Sequence, residues 1–353
     1  MEFDDTGSFK GGNEVKNGKI GVCIIGAGRA GMIHAVNFRS RVADAELTAV
    51  VDPFEEAAAR ACSQLEIDRY YLDYRKALED DRIDAVVIVT PTLYHREISI
   101  AAAQAQKHIL CEKPMAMDEK ECDDMVRSAG ENGIKFQMAF MRRFDESFLQ
   151  AREVVDSGEI GDVVMVRSNT RGPSVPQKWM YDIRTSNGPL AEVNSHDIDT
   201  LRWFTGSEFK TVYALGGNFR CPDARAEYPD FYDNVVMNAS FVNGMQGIID
   251  GAQGVSYGYD ARVEILGTRG CIFLGQVHEK TIKVCSSDKK MTLPVMNSWK
   301  YLFRDAYLEE DMHFIQCILK DESPRVTGID GKMAVKVVKA GNLSIRKKRI
   351  VEV

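Results

Sequence analysis

No stretch of this sequence approaches the roughly 20 consecutive apolar residues that a membrane span requires, which argues against an integral membrane role. Its eight cysteines include no Cys-x-x-Cys pair and join no His/Cys cluster at zinc spacing, so neither a dithiol redox motif nor a metal centre is expected. Several of them sit inside apolar runs, as in Val22-Cys23-Ile24-Ile25, where a thiol serves as a small hydrophobe. The expectation is a reduced, cytoplasmic protein. Positive charge is also in short supply. The formal net charge is −7, the wrong sign for a nucleic-acid footprint. The one basic run, Arg346-Lys347-Lys348-Arg349, reads as a solvated last helix turn that complements the helix dipole. There is no internal repeat. The first 18 residues are polar, lack the apolar core of a signal peptide, and read as a disordered tail.

What is present suits a soluble two-domain chain of 353 residues, with 44% hydrophobic and 27% charged residues. From Lys19 to about Ala139, short apolar strands alternate with helices. Strands are expected at Lys19–Ile25, Leu47–Val51, Ala85–Thr90, Lys107–Cys111 and Lys135–Met138, with helices such as Met32–Ser40 and Glu119–Asn132 between them. Ala85–Thr90 is a continuous apolar run, as expected of a parallel strand covered on both faces. This α/β alternation predicts a doubly wound parallel sheet over residues 19–139. After Phe140 the pattern changes to period-2 strands separated by turns such as Asn243-Gly244, with a last short strand at Ile282–Val284. A second α/β domain with a large, mostly antiparallel sheet is expected over residues 140–353.

Three segments carry chemistry. Gly26-Ala27-Gly28-Arg29-Ala30-Gly31 follows a buried strand and opens a helix, the context in which a glycine-rich turn cradles a dinucleotide pyrophosphate. Asp52, ending the next strand, is placed to accept from ribose hydroxyls. A helix N-cap before Pro53 is the alternative reading, and it does not exclude the ribose role. No arginine follows to receive a 2′-phosphate, so NAD is favoured over NADP. Thr90-Pro91 ends a further strand, and His95 just beyond it either flanks the nicotinamide ribose or is a surface residue. Glu112-Lys113-Pro114 ends another strand; the proline restricts the backbone of Lys113 and fixes where its ammonium points. In the second domain, Glu192, Asn194, His196 and Asp199 are closely spaced. Glu192 and His196 would share one face of a helix, and an imidazole beside carboxylates is suited to general acid/base work.

These motifs, in this order, resemble the Gfo/Idh/MocA oxidoreductase family. The likeness runs through Asp52, Thr90-Pro91, Glu112-Lys113-Pro114, Met141-Arg142-Arg143-Phe144-Asp145 and His196-Asp197-Ile198-Asp199 to Asp305-Ala306-Tyr307. The resemblance implies an N-terminal Rossmann domain and a C-terminal domain whose open sheet shelters the active site and pairs subunits into dimers or tetramers. It makes Lys113 the catalytic lysine and His196 the proton acceptor. Glu192 stands where inositol dehydrogenase-like members carry Asp. Arg142 is implied near the cofactor. Arg143 is implied near the substrate pocket. The Arg171–Tyr181 segment has no fixed family pattern; it is expected to shape substrate choice, with Trp179 able to stack on a sugar or aglycone face, or else to be a surface loop. Asn194 is also expected at the substrate. The expected activity is NAD-dependent oxidation of a secondary ring hydroxyl of a sugar, cyclitol or glycoside, of inositol 2-dehydrogenase or glycoside 3-dehydrogenase type. The alternatives are a glycoside-cleaving enzyme with transient redox and a non-catalytic NAD-binding regulator.

Overall fold

In the computed structural model, which describes residues 18–278 and 282–353, Ile20–Ile25 form the first strand, β1, with every side chain buried. The chain then alternates through α1 (Gly31–Ser40), β2 (Ala45–Val51), α2 (Glu55–Leu65), β3 (Tyr70–Tyr71), α3 (Tyr74–Leu78), β4 (Ala85–Ile88), α4 (His95–Gln104), β5 (His108–Glu112), α5 (Glu119–Glu131) and β6 (Phe136–Ala139). All pairings are parallel, in the order β3-β2-β1-β4-β5-β6. That order reverses direction between β1 and β4, which opens a crevice at the carboxyl ends of those strands. The doubly wound sheet expected from the apolar runs is present, and the expected strand limits fall within a residue or two of those found.

The second half begins with α6 (Glu146–Asp156), the long strand β7 (Val163–Gly172) and three short to medium helices: α7 (Ile183–Ser186), α8 (Gly188–Glu192) and α9 (Ser195–Thr205). Strands β8 (Phe209–Gly217), β9 (Asn234–Phe241), β10 (Gln246–Gln253), β11 (Asp260–Gly267) and β12 (Cys271–Leu274) follow. A small ribbon, β13 (Val284–Cys285) with β14 (Met291–Thr292), precedes α10 (Trp299–Leu302), α11 (Arg304–Leu319), α12 (Gly328–Lys347) and β15 (Val351–Glu352). The large sheet runs β12-β11-β7-β10-β9-β8-β15 and is antiparallel except for β7 against β10. The strand expected at Ile282–Val284 forms instead at β13, outside this sheet. The tail expected to be disordered, residues 1–17, lies outside the described residues.

One face of the large sheet is covered by α9 and α12. The last two helices also reach back to the first domain: Phe314 and Ile315 of α11 are fully buried in the core that lines β1 and β2. Residues distant along the chain thus complete the core on one face of the parallel sheet.

Candidate active site

The glycine turn has the shape its sequence implies. Gly26 has φ +112°, and a Cβ there would stand 2.6 Å from the Val89 carbonyl oxygen. A Cβ on Gly31 would meet the Gly26 carbonyl at 1.9 Å. These two glycines let β1, β4 and α1 approach. Gly28 differs, since a Cβ on it would meet nothing within 4 Å. It faces open space in the cleft, at the N-terminus of α1, where a phosphate would come against the backbone. Asp52 grips the turn from the next strand: one carboxylate oxygen accepts from Ala27 N–H at 3.1 Å, the other from Phe54 N–H at 3.0 Å. The bond to Phe54 makes an Asx turn before α2, whose N-cap is Phe54, so Asp52 is not the helix cap. Its carboxylate has lone pairs left for a ribose hydroxyl. Neither Asp52 nor Pro53, which follows it, is part of the wall of the adjoining cleft.

Gly28, Arg29 and Ala30 form one wall of a cleft of about 440 Å³, within the range of about 300–1,000 Å³ that small-molecule sites occupy. Thr90, Pro91, Glu112 and Lys113 continue it, and Glu192, His196 and Trp179 come from the second domain. Lys113, expected from sequence to be fixed by the proline after it, precedes a cis peptide to Pro114. Its ammonium donates to the backbone carbonyl of Glu192 at 2.8 Å. One of three N–H donors is used in that bond.

His196 is buried, and its Nδ1 has no hydrogen-bond partner among the described residues. Burial, reinforced by the nearby cations Lys113 and Arg142, holds its pKa well below the ordinary histidine value. The imidazole is therefore neutral at neutral pH and able to take a proton. Glu192 titrates above the ordinary glutamate value because burial outweighs the attraction of Lys113. Glu192 and His196 do not share one helix as expected: α8 ends at Glu192 and α9 begins at Ser195. The break turns both side chains to the cleft by a different route.

Several expected ligands are elsewhere. Arg142 is almost fully buried, donating to Asp197 at 2.9 Å and to the Thr170 hydroxyl at 2.6 Å. Arg143 pairs with Asp199 at 2.9 Å and with Asp330 at 3.0 Å. Neither guanidinium reaches the cleft, because each neutralises carboxylates that α9 and α12 bury. Arg171 points to the other face of β7 from its neighbours Thr170 and Gly172, which do line the cleft, and pairs with Asp250. Asn194 is buried beneath the cleft wall, its amide donating to Asp197 at 2.7 Å. His95 is buried, not a surface residue, and lies behind the cleft wall instead of in it. Its Nε2 lies 2.8 Å from the Thr90 carbonyl oxygen and its Nδ1 2.9 Å from that of Pro114, so it braces the two strand-end loops from inside.

Further cleft residues come from segments to which the sequence assigns no role. Tyr259, Trp299 and Tyr307 bring aromatic rings to the wall. Burial pushes the Tyr259 phenol up to about 12, so it stays protonated and can donate. Tyr307 ends the Asp305-Ala306-Tyr307 segment of the family likeness. A tyrosine at a core-periodic position of a helix was the readable signal there. Among the described residues no group of three or more His, Cys, Asp and Glu side chains is arranged to hold a metal.

An open phosphate cradle, a neutral imidazole and an ammonium facing one cleft belong, as a class, to dinucleotide-dependent oxidoreductases. Comparison with known proteins agrees. A family model described as "Oxidoreductase family, NAD-binding Rossmann fold" matches residues 20–140, and one described as "GFO/IDH/MocA C-terminal domain" matches residues 148–273. A myo-inositol 2-dehydrogenase of Thermotoga maritima is 33% identical over 93% of this chain and 97% of its own. The scyllo-inositol 2-dehydrogenase (NAD(+)) of Bacillus subtilis is 32% identical over 92% of this chain and 93% of its own. The crystal structure of a Lactobacillus casei scyllo-inositol dehydrogenase with bound NAD(H) and scyllo-inositol superposes with a TM-score of 0.86. It is 28% identical and covers 95% of this chain and 99% of that one. The chain belongs to the Gfo/Idh/MocA family of NAD-binding oxidoreductases.

Proposed function

We propose that this protein oxidises a secondary hydroxyl of a cyclitol to a ketone, with NAD as cofactor. The observation that carries the reading is the meeting of Lys113 and His196, which are distant in sequence, at the cleft that begins at Gly28. The open cradle at Gly28 and the free lone pairs of Asp52 suit a dinucleotide, and bound NAD supplies the hydride acceptor. His196, neutral through burial, takes the hydroxyl proton. Lys113, anchored by the Glu192 carbonyl, uses its remaining donors on the same oxygen and stabilises the developing alkoxide. Glu192, with its raised pKa, bonds neighbouring hydroxyls as donor or acceptor. Inositol dehydrogenases among the relatives support a cyclitol as the substrate. The test is NADH formation across a panel of inositols, hexoses and glycosides, with myo- and scyllo-inositol expected to lead.

A glycoside is the second reading. Trp179 lines the cleft with 44% of its surface exposed, and Trp299 lines it too, which gives a sugar or aglycone ring something to stack upon. Faster NADH formation with glycosides than with inositols would favour it. We also propose a homodimer or homotetramer assembled through the outer face of the large sheet, where Val164, Leu215, Val236 and Phe273 are exposed. Light scattering on the purified protein tests this. A cytoplasmic location fits the free cysteines.

A further inference from the structure

Beside Glu112 lies a group of titratable side chains that the proposed chemistry does not use. His34, on α1, is wholly buried between two carboxylates: its Nδ1 is 2.6 Å from Asp311 Oδ1 on α11, and its Nε2 is 3.4 Å from Glu112 Oε1 at the end of β5. Asn37, one turn along α1, donates to Asp311 Oδ2 at 2.8 Å. The second oxygen of Glu112 accepts from the backbone N–H of Lys113 at 3.0 Å. An unbroken hydrogen-bonded chain thus runs from α11 through α1 to the peptide that carries the catalytic ammonium.

A carboxylate at each ring nitrogen favours a proton on both, so His34 is held as an imidazolium. Burial opposes that charge, but Asp311 and then Glu112 outweigh it and hold the pKa well above the ordinary value. The other groups facing it are Glu310 and Tyr307, both on α11. Burial, then the Glu112 charge, keeps Glu310 neutral, and both of its carboxyl oxygens lack partners among the described residues. The Tyr307 ring meets His34 edge-on at 5.4 Å and is held protonated by burial. A buried ionic chain of this kind is a poor source of stability, since apolar side chains of equal volume commonly do as well or better. What it does supply is direction: it holds Glu112 in a single orientation.

We propose that Asp311, His34 and Glu112 form a positioning chain that fixes the Lys113 backbone and so aims its ammonium into the cleft. The inference rests on the role given to Lys113 above. Asp311→Asn keeps the volume and removes the charge. His34 then loses its proton as pH rises, and the grip on Glu112 loosens. The expected result is a kcat that falls by about tenfold between about pH 6 and 9, where wild type varies little, with KM for NAD within about twofold of wild type. His34→Gln, which cannot titrate, should lose kcat equally at every pH. Crystals of Asp311→Asn should show Lys113 Nζ displaced from the Glu192 carbonyl. Should both variants be insoluble, Asn37→Ala frees only Asp311 Oδ2, and a loss in kcat without change in KM for NAD is expected of it. Folded variants with wild-type kcat, wild-type pH profile and an unmoved Lys113 would overturn the proposal. A wild-type protein inactive on every polyol would count against the proposed function, and the crystallographic comparison would still decide this inference.

Discussion

The ammonium of Lys113 donates to the backbone carbonyl of Glu192 across 2.8 Å, joining the end of a parallel strand to the helix pair that carries His196. The two halves of the molecule therefore meet at Lys113, the group proposed to face the reacting oxygen. Replacing Lys113 with Ala removes both that link and the cation. Turnover should fall by about 10²–10³-fold, while NAD binding, followed by fluorescence titration of NADH, stays close to wild type because the glycine turn is untouched.

His196→Asn should lower kcat by about 10²–10⁴-fold. The wild-type pH profile carries its own signature. The folded pKa of His196 is depressed, so the base is available throughout neutral pH, and oxidation should decline only well below about pH 6.5. The same depression ties stability to pH. The contribution is fully present above about 6.5 and is lost as pH falls towards the folded value. Thermal melts in acid should show a shallower decline for His196→Asn than for wild type.

Two glycines in one turn should behave oppositely. Gly28→Ala adds a methyl where nothing lies within 4 Å, so the melting temperature should hold while NAD affinity collapses. Gly31→Ala drives a Cβ to 1.9 Å from the Gly26 carbonyl oxygen and should destabilise the whole first domain. Calorimetry alongside NADH titration separates the two outcomes.

Arg142 provides a control. Arg142→Met leaves Asp197 buried without its cation and should cost about 3–5 kcal/mol of stability by denaturant titration. Adding Asp197→Asn should restore most of that. In neither variant should KM for NAD change by more than about twofold, because the pair lies behind the cleft wall and not in it.

The first domain was legible because its strands are apolar on both faces. Ala85–Ile88 and Ile20–Ile25 announce themselves as runs, and each is followed by a turn whose residues have one use. Lys113 and His196, which both line the cleft, stood out for a similar reason: a proline beside one and carboxylates beside the other drew them from the sequence as candidates. Arg142, Arg143 and Arg171 misled because charge alone does not say which side of an element it faces. Strand alternation turns Arg171 away from the cleft, and buried aspartates on α9 claim the other two. His34 and Asp311 carry only a faint signal in the sequence. They sit in mid-helix without a motif, and only the docking of α11 on α1 brings them together. A titratable residue among buried helix neighbours such as Phe38 or Phe314 was the available clue.

The most direct test of the account is the absorbance of reduced nicotinamide after NAD is mixed with myo- or scyllo-inositol, for wild type, Lys113→Ala and His196→Asn. The account predicts steady NADH formation by wild type and a loss of about 10²-fold or more in either variant, with NAD binding intact in all three. A wild-type protein that binds NAD yet reduces none of it with any ring polyol, or a Lys113→Ala variant that turns over at the wild-type rate, would contradict it.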